Sequence, residues 1–168
     1  MTQLYAQPYD IAATGFYFES ANDYAAKAET NRNEYGDPVE EYEIQFIDGE
    51  ALDCALAQAW GVNQANVGAF LEACDLWDDD QKTRFIIAVG ECGYDHGQVA
   101  SDPDQIDITF YQDISMRELA EQFVDEGLFG EIPERLQAYL DYDAIARDLA
   151  VDYAETVIAG TPFLFHCA

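Results

Sequence analysis

The chain has 168 residues, of which 34 are Asp or Glu against 7 Lys or Arg, giving a formal net charge of −27. The cations Lys27, Arg32, Lys82, Arg84, Arg117, Arg135 and Arg147 stand singly. They form no patch that could neutralise phosphates, so nucleic acid is not expected as a direct partner. Acidity of this degree often marks disorder, but a chain that is 49% hydrophobic and 14% aromatic should fold around a genuine core.

The first twenty residues lack the basic and long apolar stretches of a signal peptide, and no later window has the roughly 18 uncharged apolar residues of a membrane span. A cytoplasmic protein without a membrane partner is the expectation. Cys54, Cys74, Cys92 and Cys167 lack the density of a secreted disulfide framework and read as reduced, buried thiols. Cys92 with His96, and His166 with Cys167, do not supply the two close ligand pairs of structural zinc, so no metal is expected.

In chain order, residues 14–20 read as a strand, and Ser20 with Asp23 can cap a helix running to about Tyr35, where Gly36, Asp37 and Pro38 stop it. A second strand follows, with Tyr42, Ile44 and Phe46 alternating against Glu41, Glu43 and Gln45, as at a half-buried sheet edge. Residues 50–60 and 64–76 read as helices separated by Gly61, with Val67, Phe70, Leu71 and Cys74 at core-facing spacing. Asp78, Asp79 and Asp80 open another helix through Phe85, Ile86 and Val89, placing acid at the positive end of its dipole.

Residues 96–105 mix Gly, Ser, Asp and Pro without periodicity and read as a boundary loop. Beyond it, IDITFY alternates as a strand. Ser115 with Glu118 forms a capping box for a helix ending near Gly127, and Pro133 suits the first turn of the next. A helix over about 143–151 and a closing hairpin, ETVI and TPFLFH around Ala159-Gly160, complete the chain. The expected class is therefore α+β in three small sections: an N-terminal α+β section over 1–61, a central helical section over 62–103, and a C-terminal α+β section over 104–168.

Catalytic signatures are missing. Thirty-four carboxylates guarantee pairs at almost any separation, so a carboxylate-based hydrolase has no specific signal. No G-x-S-x-G and no phosphate-binding G-x-x-x-x-G-K-[ST] occurs, and neither DLWDDDQKTRFI nor DPDQIDITFYQD has the central Gly of a calcium loop. No cofactor and no enzymatic activity are expected.

The acid itself is the distinctive feature. It is spread along the chain, with twelve carboxylates in residues 10–53, ten in 72–107 and twelve in 113–155. On the helix after Ser115, Glu118, Glu121 and Asp125 share a face, with Arg117 opposing Glu121 only. A net charge of −27 far exceeds the magnitude of about 2–8 that keeps a small domain soluble, and self-repulsion destabilises the compact state. Duplex DNA carries about one charge per 1.7 Å of axis, so 27 charges correspond to roughly 46 Å of duplex. A salt-adapted acidic binding module is the competing reading.

The run LAEQFVDEGLFGEIPERLQAYLDYDAIARDL, residues 119–149, resembles the C-terminal signature of the ArdA antirestriction family, and GFYFES, EEYEIQFIDGE and IIAVGECG resemble further segments in the same order. The resemblance implies an elongated molecule of three sections with a surface imitating bent B-form DNA. It also implies a homodimer through the C-terminal section, with the DNA-binding groove of a type I restriction-modification enzyme, formed by its specificity and methyltransferase subunits, as partner. Candidate carboxylates of such a surface are Glu19, Asp23, Glu41, Glu43, Glu72, Asp75, Asp78, Asp79, Asp80, Glu118, Glu121, Asp125, Glu126, Glu134, Asp141 and Asp148. Leu128, Phe129, Ile132, Tyr139 and Leu140 are the candidate dimer residues, with ordinary core as their alternative role.

Overall fold

The computed structural model describes all residues, 1–168, as eight α-helices and two three-stranded antiparallel sheets. The protein is thus mixed α+β, and it divides into two compact units, residues 1–106 and residues 107–168.

In the first unit, β1 (Gln3–Pro8) is the central strand, flanked by β2 (Phe16–Phe18) and β3 (Tyr42–Asp48). The two outer strands lie where the alternation places them, and Tyr42 and Ile44 are buried while Glu41 and Glu43 are exposed. The central strand has no counterpart in the sequence reading. Its inward residues are Leu4, Ala6 and Pro8, a weak apolar stripe, and proline argues against a central strand. Pro8 is tolerated because it lies beyond the β1–β2 pairing, which stops at Ala6 opposite Phe16. Gly15 is needed at the approach to β2, since a Cβ there would run into the Ala6 carbonyl and the Tyr5 ring.

Helix α1 (Ala21–Thr30) starts at the expected Ser20 cap, whose hydroxyl accepts from the Asp23 amide at 3.1 Å. It stops at Thr30, short of the expected Tyr35, because the Asn33 side chain folds the following residues into a turn. Its Oδ1 accepts from the amides of Tyr35 (3.0 Å) and Asp37 (2.9 Å). Next come α2 (Ala51–Trp60), α3 (Val67–Leu76) and α4 (Asp79–Gly90), the last opened by a capping box between Asp78 and Gln81. The stretch read as a loop contains α5 (His96–Ser101) and a 3-10 turn at Pro103–Gln105. Asp95 and Asp102 cap them by accepting from the amides of Gln98 and Asp104, and Val99 is fully buried. Two such short elements give a helical period no room to repeat.

The core of this unit gathers Leu4, Phe18, Leu56, Phe70, Phe85 and Ile87, each almost wholly removed from solvent. Trp60 stacks on Phe85 at 4.7 Å between ring centres and meets Phe70 edge-on. Each such side chain contributes about 1.5–3 kcal/mol through burial.

One charged pair lies inside this core. Lys82 Nζ of α4 stands 2.7 Å from Asp53 Oδ1 of α2, with both side chains less than a tenth exposed. Thr2 Oγ1, just before β1, donates to the other carboxylate oxygen at 3.0 Å. Both oxygens of Asp53 are thereby satisfied, which a buried charge requires. Cys74 of α3 faces the same cluster, and burial followed by the Asp53 charge pushes its thiol up to about 12, leaving it protonated and inert.

The second unit has its own sheet, with β6 (Thr161–Cys167) central between β4 (Ile108–Gln112) and β5 (Ala154–Ile158). Helix α6 (Met116–Asp125) lays Leu119 and Phe123 against Leu164 of β6, and Tyr111, Ile114, Met116, Leu149 and Tyr153 close the cluster. The β5–β6 hairpin turns at Ala159 and Gly160, with φ of 52° and 84°, the two left-handed residues that a tight hairpin with this twist demands. Two further helices, α7 (Glu134–Gln137) and α8 (Tyr142–Leu149), bury no residue completely. Pro133 sits at the N-cap of α7, one position ahead of the expected first turn.

No helix is long and apolar enough to cross a membrane. Cys54 and Cys74 are free thiols. The expectation of four reduced thiols does not hold for Cys92 or for Cys167, since cysteine number and spacing carry no information about bonding.

Lys82→Met should cost about 3–5 kcal/mol, because it strands the Asp53 carboxylate in the core. The double variant Asp53→Leu with Lys82→Met should recover most of that loss in urea titrations. Burial pulls the Lys82 pKa down, but the hydrogen bond and charge of Asp53 outweigh it, and the net displacement is upward from 10.5. The pair therefore stabilises the fold fully below that value, and its contribution should vanish as pH rises through the elevated folded pKa.

Candidate functional site

With seven Lys and Arg for 34 acidic residues, most of the negative charge must be placed by something other than cations. All but five of the 34 are exposed: Asp53 is buried, and Asp10, Asp23, Asp102 and Glu121 are half-buried. Both units carry this exposed acid.

Backbone amides hold many of these carboxylates. Asp78, Asp95, Asp102 and Asp141 each accept from an amide at the start of a helical segment, where the helix dipole also favours negative charge. Glu118 accepts from the Ser115 hydroxyl (2.6 Å) and amide (2.8 Å), and these bonds hold its pKa below 4.5. Asp10 accepts from the Asn33 side-chain amide (2.9 Å) and the Ala12 amide (2.9 Å), and its pKa falls below 3.8 for the same reason.

Fourteen of the sixteen candidate carboxylates lie on the surface, namely Glu19, Glu41, Glu43, Glu72, Asp75, Asp78, Asp79, Asp80, Glu118, Asp125, Glu126, Glu134, Asp141 and Asp148. The other two are half-buried and paired, Asp23 with Lys27 at 2.8 Å and Glu121 with Arg117 at 3.1 Å. Arg117 does not oppose Glu121 alone. Its Nη1 also meets Asp143 Oδ1 of α8 at 2.7 Å, and hydrogen bonds to Asp143 and then Glu121 raise its pKa. Asp143 was invisible to the helical spacing because the partner lies on another element. The capping roles of Asp95 and Asp102 escaped the reading too, although Asp95-x-x-Gln98 carries the same cap pattern as Asp78-x-x-Gln81.

The candidate dimer residues are not core. Leu128, Phe129 and Tyr139 are 60%, 54% and 84% exposed, and Ile132 and Leu140 are half-buried. Leu136 between them is 47% exposed. The second unit therefore presents an apolar segment that its own fold does not cover.

A cleft of about 620 Å³ lies in the second unit, lined by Ile114, Val157, Pro162, Phe163 and Leu164 with Asp113 and Glu155 beside them. Ser115 also lines it, but its hydroxyl is held by Glu118 in the helix cap. No group of three or more His, Cys, Asp or Glu side chains is gathered where a metal ion could be held.

A carboxyl-carbon NMR titration should show Asp10 titrating below 3.8 and Glu118 below 4.5, with Asn33→Ala returning Asp10 toward its ordinary value. Because both folded pKa values are depressed, the stability these bonds add is present above the ordinary values and is lost as pH falls through the folded ones.

The chain matches no curated protein sequence. Residues 9–161 match the family described as antirestriction protein (ArdA), in agreement with the resemblance carried by residues 119–149. The match spans most of both compact units, and the chain belongs to the ArdA family of antirestriction proteins.

Proposed function

We propose that this antirestriction protein imitates B-form DNA and occupies the DNA-binding groove of type I restriction-modification enzymes, formed by their specificity and methyltransferase subunits, in the cytoplasm. It blocks restriction and modification without catalysis. The observation that carries this reading is the exposure of all but five of the 34 acidic residues, spread over both units and left almost without cations. A groove built for phosphates responds chiefly to charge spacing and shape, and carboxylates anchored to helix ends present charge at fixed positions. Salt adaptation requires only a solvated acidic coat and gives no reason for membership of an antirestriction family, which supports the mimic reading. The three sections proposed from sequence, 1–61, 62–103 and 104–168, each bring their share of it.

Inhibition by occupancy is stoichiometric. Purified type I enzyme assayed for cleavage and methylation should lose both as the protein approaches the enzyme's concentration, and persistence of both activities at large molar excess removes the proposal. Recognition is distributed, so Glu121→Gln or Asp125→Asn alone should weaken inhibition by about fivefold at most, the upper range of one exposed ion pair. Combined neutralisation across the sections should weaken it progressively. The fall of affinity with salt should be shallower than for duplex DNA, which releases condensed counterions at about 0.9 per neutralised phosphate.

We further propose that Leu128, Phe129, Ile132, Tyr139 and Leu140 are covered by a second copy of the chain. Light scattering at micromolar protein and moderate salt should give twice the chain mass, with Phe129→Ser and Tyr139→Ser together shifting the particle toward the single chain. A single-chain mass for the parent protein rules out the dimer.

A further inference from the structure

The first unit carries three large apolar side chains that its acidic character does not explain. Tyr9, Ile11 and Tyr35 are 67%, 103% and 76% exposed. They sit on two loops, residues 9–15 after β1 and residues 31–41 after α1, and the loops are bonded to each other. The Glu34 amide donates to the Ala12 carbonyl (2.9 Å), the Asn33 side chain donates to the Asp10 carboxylate (2.9 Å), and the Tyr9 amide donates to the Glu41 carbonyl (3.2 Å). Asn33 and Asp10 also close their own turns. The backbone that displays these side chains is therefore fixed before any partner arrives.

Exposed apolar residues scattered singly need no explanation, but three on one hydrogen-bonded loop junction mark a contact surface. The 31–41 loop also carries the exposed carboxylates of Glu34, Asp37, Glu40 and Glu41. Arg32, the cation of these loops, turns its guanidinium onto the carbonyls of Glu29 and Asn31. That local acidity selects the occupant. A second copy would bring two acidic loop junctions together, and an anionic lipid surface would be repelled in the same way. A protein surface rich in Lys and Arg, with an apolar recess among them, satisfies both the carboxylates and the apolar side chains.

We propose that Tyr9, Ile11 and Tyr35 form an apolar anchor that docks into a recess of the basic DNA-binding groove of the target enzyme, so that the mimic holds its target partly by contacts DNA does not make. This rests on the DNA-mimic reading above. Tyr is enriched among the few residues that dominate interface energetics, and a preformed loop loses little conformational freedom on binding. The anchor supplies affinity that salt does not screen, while the carboxylates supply orientation and encounter rate.

The test is binding of the full chain to a purified type I methyltransferase, containing its specificity subunit, across a range of salt. Ile11→Ser with Tyr35→Ser should weaken binding by about tenfold or more at every salt concentration, leaving the slope of log K against log salt unchanged. Ile11→Ser alone, at a fully exposed position, should give a smaller loss of the same kind. Neutralising Glu34, Asp37, Glu40 and Glu41 should instead flatten the slope. Affinity of the double variant within about twofold of the parent overturns the anchor, as does a change in the mass of the free protein, which would assign the surface to a second copy. A parent protein that fails to bind at all removes the mimic reading and the anchor with it, an outcome distinct from a parent that binds and a variant that binds equally well.

Discussion

Mutual repulsion among carboxylates is the constraint under which the rest of this structure is built. At a net charge of −27 there are too few cations to pair with the acid, even with Lys27, Lys82 and Arg117 held in ion pairs. The amide backbone takes over much of the remaining work. Asp78, Asp95, Asp102 and Asp141 sit at helix starts, and Glu118 and Asp10 fold back onto nearby donors. Each arrangement relieves an orphan N–H and positions a charge where the local dipole is positive. The helices are short, so the number of such ends is high for a chain of this length. A fold of many brief helices suits a surface that has to carry dense negative charge.

The exception lies inside. Lys82 is spent on Asp53 in the core, where neither charge can contribute to a surface. The pair joins α2 to α4 and, through Thr2, reaches the start of the central strand β1. A well-packed apolar pair of similar volume would serve stability as well or better. What the pair adds is direction, because a hydrogen-bonded carboxylate with both oxygens used admits few alternative registers of the helices around it. Exposed charges on those helices are then held in one arrangement.

The surface combines two kinds of group that obey different physics. Carboxylates act over about 8 Å at physiological salt and individually contribute little. Exposed apolar groups act only on contact but are unaffected by screening. Its exposed apolar groups include the Tyr9, Ile11 and Tyr35 junction of the first unit and the Leu128 to Leu140 segment of the second, and neither is satisfied by its own unit. Family membership accounts for an antirestriction role, and the proposed split between charge and apolar contact would give that role separable salt-dependent and salt-independent parts.

The sequence by itself determined the α+β class, the acidic and noncationic surface chemistry, the family, and the elements whose periodicity is local. Strands at Tyr42, Ile44 and Phe46, the helix opened by Asp78, the capping box at Ser115, and the Ala159-Gly160 hairpin were legible because each is decided by residues within a few positions of one another. Only the tertiary structure decided what depends on distant neighbours. The central strand β1 forms despite Pro8 because two better strands flank it. Helix α1 ends at Thr30 because Asn33 gathers the Tyr35 and Asp37 amides into a turn, and Asp10 accepts from the same side chain across the fold. Lys82 is no isolated surface cation because Asp53 lies within 2.7 Å of it, and Arg117 meets Asp143 from another helix. Leu128, Phe129 and Tyr139 read equally well as core or interface in sequence, since an apolar residue has the same spacing in either role; in the fold they lie in the turns that follow α6 and α7, outside the cluster of Leu119, Phe123 and Leu164.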